Sequence, residues 1–161
     1  MAGIQRLPTS NGAAGHGSLA RLIDESARRI TRFTPPDAFS AVAAGEGDDL
    51  IIDIRSQDAR ERDGVVPGSL HIPRTVLEWR IAVDSPWRNP HLGGVAQRLI
   101  LICDHGYSSI LAAGNLIELG FHRSGDVIGG FEAWANQGLP VAAWRSRPSL
   151  GGALPGTGPP E

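Results

Sequence analysis

The run Leu99-Ile100-Leu101-Ile102-Cys103 constrains the chain more than any other segment. Five apolar residues in succession are too few for a buried helix. They suit a strand covered on both faces, as in parallel sheets. Asp104-His105-Gly106-Tyr107 then breaks the run. Tyr107 to Leu119 reads as a helix with Ile110, Leu111, Gly114 and Ile117 on one side and Gly120 as its stop. A strand, a short loop and a helix therefore follow one another, with the cysteine at the junction.

The same reading extends along the chain. Ser18 is placed to cap a helix whose face is Leu19, Leu22, Ile23, Ala27 and Ile30. Thr34 is an N-cap candidate, with Pro35 and Pro36 in the first turn of a helix reaching about Ala44 and stopped by Gly45. Leu50 to Ile54 is a buried strand ending in a polar residue, and Ser69 to Ile72 is another, closed by Pro73. Asp126 to Ile128 is a short strand. Gly129 and Gly130 turn it into a helix that carries Phe131, Ala133 and Trp134 and stops at Gly138. Alternating strands and helices predict an α/β fold with a mostly parallel sheet, whose reactive groups gather at the carboxyl ends of the strands. Residues 1–17 and 145–161 lack apolar periodicity and are expected to be flexible tails around a domain at 18–144.

Composition removes several function classes. The chain has one cysteine, so an internal disulfide and a cysteine-rich metal site are excluded. His16, His71, His91, His105 and His122 show no metal-ligand spacing. The net charge of −2 gives no pull toward nucleic acid or an anionic membrane. No apolar stretch reaches the ~20 residues of a membrane helix, and the opening residues have no signal-peptide core, so the expected location is cytoplasmic.

Chemistry concentrates at Cys103. Inward-facing amides of the loop and the positive end of the following helix favour negative charge on its sulfur. The thiolate is the nucleophilic form. The same cradle suits a persulfide, with its terminal charge at the loop centre. Gly106 allows a turn with positive φ and leaves room there. Ser108 and Ser109 can donate to the anion or cap the helix. His105 can contact substrate or simply face solvent, Asp104 is expected to face solvent, and Tyr107 borders either the pocket mouth or the sheet edge. Asp53 and Arg55, after a buried strand, are read as a bracing pair near the site rather than as catalysts. His71 and Trp134 are read as structural.

Four segments together resemble the rhodanese-like family. Leu50-Ile51-Ile52-Asp53-Ile54-Arg55 looks like its strand ending in Asp-Val-Arg. Gly64-Val65-Val66-Pro67-Gly68-Ser69-Leu70-His71-Ile72-Pro73 is similar to its Gly-His-Ile-Pro-Gly-Ala-x-x-Ile-Pro signature. Cys103-Asp104-His105-Gly106-Tyr107-Ser108-Ser109 resembles its Cys-x-x-Gly-x-Arg-Ser loop. Leu119-Gly120-Phe121, Val127-Ile128-Gly129-Gly130-Phe131, Trp134 and Gly138-Leu139-Pro140-Val141 resemble its closing motif. The order holds across residues 34 to 142.

The resemblance implies a single doubly wound α/β domain around a five-stranded, mostly parallel sheet flanked by helices. It implies a cofactor-free sulfurtransferase in which Cys103 carries sulfane sulfur as a persulfide. The donor would be thiosulfate or a persulfide, the acceptor a thiol or cyanide, and either could be presented by another protein. Asp104, His105, Gly106, Tyr107, Ser108 and Ser109 carry over as the loop that lines the sulfur.

Two positions depart from the pattern. Val65 stands where the signature has His, and Ser108 stands where the loop has Arg, which shifts the expectation toward a less charged donor than thiosulfate. One of Arg74, Arg80 and Arg88 is a candidate to supply that missing charge. A rhodanese-fold binding module with little turnover is the alternative. A cysteine phosphatase or arsenate reductase is disfavoured, because Ser109 stands where such a loop closes with Arg.

Overall fold

The structure, a computed structural model, describes residues 17–44 and 48–145. The two flanking segments set apart above, save Gly17 and Arg145, and the helix stop at Gly45 lie outside the described residues. Five strands form one sheet in the order β1-β5-β4-β2-β3: β1 (Thr31–Phe33), β2 (Leu50–Asp53), β3 (Leu70–His71), β4 (Leu99–Ile102) and β5 (Gly125–Val127). All neighbouring strands pair in parallel. Six α-helices connect and cover them: α1 (Leu19–Arg29), α2 (Pro35–Ala43), α3 (Gln57–Asp63), α4 (Leu77–Ile81), α5 (Ser108–Glu118) and α6 (Gly130–Asn136). The architecture is the α/β fold expected from the strand–helix alternation.

The apolar run of β4 is buried throughout, and its alternate residues serve two cores. Leu99 and Leu101 pack with Ile52, Leu77, Ile81, Ala112 and Leu116 beneath α4 and α5. Ile100 and Ile102 pack with Ile51, Ala38, Phe131 and Trp134 beneath α2 and α6. This double coverage is why β4 reads as an unbroken hydrophobic stretch.

Local signals end the helices as read. Thr34 accepts from the Asp37 amide at 3.3 Å, and Pro35 and Pro36 occupy the first turn of α2. After α5, Gly120 takes φ +93°, and the Phe121 amide returns to the Leu116 carbonyl at 2.9 Å.

Helix α1 differs from expectation. Ser18 makes no side-chain cap, Ile30 lies just past the helix, and Leu19 and Leu22 are exposed at 56% and 52%. The helix turns a small residue to α5: a Cβ on Gly114 would lie 3.0 Å from Ser26 Oγ.

From β2 the chain moves outward to β3, and from β4 it moves the other way to β5. The two adjacent strands β2 and β4 thus flank a switch in winding direction. In doubly wound sheets such a switch is where the connecting segments diverge outside the carboxyl ends of the strands. Asp53 is level with Ile102 across this boundary, so Cys103 and Arg55 both emerge at it.

Candidate active-site loop

Cys103 follows the last residue of β4 and is 5% exposed. Its loop is fixed from the side by the glycine turn before α6. The Phe131 amide donates to the Cys103 carbonyl at 2.8 Å, and the Glu132 amide donates to the Asp104 carbonyl at 3.1 Å. These are first-turn amides of α6 that no residue of that helix could satisfy. The contact leaves no space for side chains. A Cβ on Gly130 would lie 2.5 Å from the Cys103 carbonyl oxygen, and one on Gly106 would lie 2.5 Å from the Gly129 nitrogen. Gly106 and Gly130 also take φ of +81° and +64°, where only glycine is unstrained.

Two groups touch the sulfur. The Gly106 amide donates to Cys103 Sγ at 3.1 Å, and Ser109 Oγ lies 3.3 Å from it. Ser109 is fully buried in the first turn of α5, so the sulfur also meets the positive end of that helix. Ser109 does not cap α5. Its hydroxyl donates instead to Asp126 Oδ2 at 2.9 Å. Asp126 is fully buried in β5 and is gripped by Arg32 of β1, with Nε to Oδ1 at 2.8 Å and Nη2 to Oδ2 at 3.0 Å. A polar chain of Cys103, Ser109, Asp126 and Arg32 thus runs behind the sulfur. Neither Asp126 nor Arg32 is distinguished by motif; the available signal is an aspartate inside a short buried strand.

The remaining loop residues face outward to different degrees. Asp104 is half-buried, while His105, Tyr107 and Ser108 are exposed. His105 Nδ1 lies 3.1 Å from Glu132 Oε2, a surface contact between loop and α6. Asp53 and Arg55 are joined by two side-chain bonds of 3.0 and 2.8 Å, and the Arg55 guanidinium stacks on the Phe131 ring at 3.7 Å. The candidate replacements for the loop arginine are engaged elsewhere. Arg74 pairs with Glu78 at 3.0 Å, Arg80 donates to the Trp87 carbonyl at 2.7 Å, and Arg88 donates to the Ile81 and Leu92 carbonyls at 3.1 Å. Trp134 is buried, with its indole N–H on the Pro140 carbonyl at 2.9 Å. Val65 forms an antiparallel bridge with Ala142, which ties the signature segment to the end of the domain. Among the described residues no cluster of three or more His, Cys, Asp or Glu could hold a metal ion, and no helix is long and apolar enough to cross a membrane.

Comparison with known proteins agrees with this arrangement. The chain is 28% identical over 107 residues to a sulfurtransferase of Allochromatium vinosum, covering 66% of this chain and 91% of that one. It is 32% identical over 88 residues to the thiosulfate sulfurtransferase GlpE of Coxiella burnetii, covering 54% and 72%. Among solved structures, it superimposes with a TM-score of 0.72 and 30% identity on a Rhodopseudomonas palustris protein of unknown function, a possible tyrosine phosphatase, over 87% of this chain and all of that one. The family model of the rhodanese-like domain matches residues 36–137, so the chain belongs to the rhodanese-like domain family.

Proposed function

We propose that the protein is a sulfurtransferase that carries sulfane sulfur as a persulfide on Cys103. The observation that carries this reading is the position of the sulfur. It stands just past the central strand at the winding switch, with the Gly106 amide on it and a small opening to solvent. In the first half-reaction the Cys103 thiolate attacks the outer sulfur of thiosulfate or of a persulfide. A new S–S bond forms, and sulfite or a thiolate leaves with the electron pair of the broken bond. In the second, a thiol or cyanide acceptor attacks the outer sulfur and the Cys103 thiolate leaves. The loop from Asp104 to Ser109 surrounds the outer sulfur, and its amides are the donors suited to that charge. No cofactor enters either step. Either reactant could be delivered by a protein, in a cytoplasmic setting.

Phosphoester chemistry fits these residues less well. A tetrahedral dianion requires a cation at the loop end, whereas Ser109 is there, backed by the Asp126 carboxylate.

Intact mass measured after exposure to thiosulfate, and separately to a small-molecule persulfide, tests the proposal. The expected result is a gain of one sulfur atom on the chain, absent in Cys103→Ala and reversed by cyanide. Sulfur gain that survives Cys103→Ala, or no gain from any donor, overturns it and leaves a binding module.

A further inference from the structure

Ser109 has one proton to give, and the geometry assigns it to Asp126. The Asp126 carboxylate receives Arg32 donors on both oxygens and serves Ser109 as an acceptor. At 2.9 Å it takes the Ser109 hydroxyl hydrogen. What Ser109 presents to Cys103, 3.3 Å away, is therefore its lone pairs. A thiol S–H can donate into them. A thiolate at the same place meets electron density, and gains a donor only if the Ser109 proton swings away from Asp126.

We infer that Asp126, acting through Ser109, is a positioning residue that turns the Ser109 lone pairs toward the unloaded Cys103 sulfur, so that this hydroxyl gives the attacking thiolate no donor, a restraint that no longer matters once sulfur is loaded. In a persulfide the inner sulfur bridges two atoms and has no proton. The negative charge sits on the outer sulfur, about 2 Å further along the new bond. The lone pairs of Ser109 then face a neutral atom, while the charge lies within the amide loop. The network thus separates two anions that the loop alone would treat alike. An empty thiolate draws no donor from Ser109, whereas the loaded persulfide needs none there. The consequence for turnover rests on the sulfur-carrier reading, but the effect on the thiol does not.

The test is the alkylation rate of Cys103 by iodoacetamide in the sulfur-free protein at about pH 7, with thermal unfolding recorded for every variant. Oδ2 accepts from both Ser109 and Arg32 Nη2, so in Asp126→Asn, with the amide oxygen kept on Arg32 Nε, the NH2 at that place no longer accepts from Ser109, and the partly exposed Arg32 Nη2 turns to water. Ser109 then becomes free to donate to sulfur. Alkylation should accelerate on the order of tenfold, the worth of one hydrogen bond to a charged group. Ser109→Ala, a small change that keeps the Asp126–Arg32 pair, should also accelerate it by a few fold, because only lone pairs are removed. Adding Asp126→Asn to Ser109→Ala should change the rate by less than about threefold, since the coupling runs through the hydroxyl.

Slower alkylation in Ser109→Ala would mean that Ser109 donates to the thiolate, and overturns the inference. So does an equal effect of Asp126→Asn in both backgrounds, which would reveal a simple field effect. If Asp126→Asn does not fold, the sign of the Ser109→Ala effect alone decides. Alkylation reports the thiol whether or not sulfur is ever transferred. Failure here therefore leaves the carrier proposal standing, and failure of the mass test leaves this result readable.

Discussion

Two buried aspartates stand near the carboxyl edge of the sheet, each gripped by an arginine, and they serve different ends. Asp53, last residue of β2, meets Arg55 Nε and Nη2 at 3.0 and 2.8 Å, the Arg55 amide at 3.1 Å and Arg60 Nε at 3.1 Å. Arg55 itself is buried, donates to the Gly64 carbonyl at 2.8 Å and lies flat on Phe131. Every acceptor position of Asp53 is taken within a few residues of sequence. Asp126 meets one arginine, whose side chain is 30% exposed, and spends its remaining capacity on Ser109. The first pair is closed on itself and braces the β2–α3 corner against α6. The second is open at one end to water and at the other to the cysteine. Two ion pairs of the same composition thus differ in what their spare lone pair touches, and that decides whether the pair supports the fold or tunes the site.

Breaking the closed pair should have the largest effect on stability. Asp53→Ala leaves the Arg55 guanidinium buried with only a carbonyl and an aromatic face as partners. Removing one member of a buried ion pair costs about 3–5 kcal/mol. Urea unfolding should show that loss, together with weakened fixation of the Cys103 loop, because Phe131 under Arg55 also donates to the Cys103 carbonyl. A loss below about 1 kcal/mol, the range of exposed pairs, would mean that the corner relaxes and the two pairs are not distinct in kind.

Breaking the open pair should cost less. In Arg32→Gln, water enters where the arginine side chain was partly exposed and solvates Asp126. The expected loss is about 1–3 kcal/mol, that of a hydrogen-bonded charge left partly satisfied. The comparison is sharpened by running both variants in one denaturant series. If Arg32→Gln proves as costly as Asp53→Ala, solvent does not reach Asp126, and the distinction between an open and a closed pair fails.

The same contrast explains what was legible in the sequence. Asp53 and Arg55 are two residues apart on a recognisable strand, so a bracing role could be read locally. Arg32 and Asp126 lie 94 positions apart and meet only because β1 pairs with β5. Strand β1 itself, Thr31-Arg32-Phe33, has no apolar run to announce it; its partner imposes its conformation. Helix α3, Gln57–Asp63, buries only Ala59 and has no hydrophobic face, although its Ser56 cap and the Gly64 turn at φ +88° were present as signals. The short helix α4 was equally silent. By contrast, β4, α5 and the Gly129-Gly130 turn were visible because burial on both faces, capping and positive φ each demand particular residue types. The loop residues at Cys103 could be named in order, but the direction of the Ser109 proton depends on a partner that only the folded sheet supplies.

The smallest effect belongs to a residue that touches the closed pair from outside. His71 Nε2 lies 2.8 Å from the Arg55 carbonyl oxygen, to which the neutral ring donates. Burial pushes the His71 pKa below its ordinary value of 6.5; the Arg55 carbonyl works against that push, and Arg60 adds to it. A histidine with a depressed folded-state pKa is neutral in the fold and binds its proton more readily when unfolded. Its contribution is therefore complete above about pH 6.5 and is lost as pH falls through the lower folded value. His71→Gln keeps an amide N–H able to reach the same carbonyl and has nothing to titrate. The unfolding midpoint of the wild-type chain should accordingly fall relative to that of His71→Gln between about pH 7.5 and pH 5.5. A constant gap between the two across this range would mean that the ring titrates alike in the folded and unfolded states, and that its protonation is not coupled to the fold.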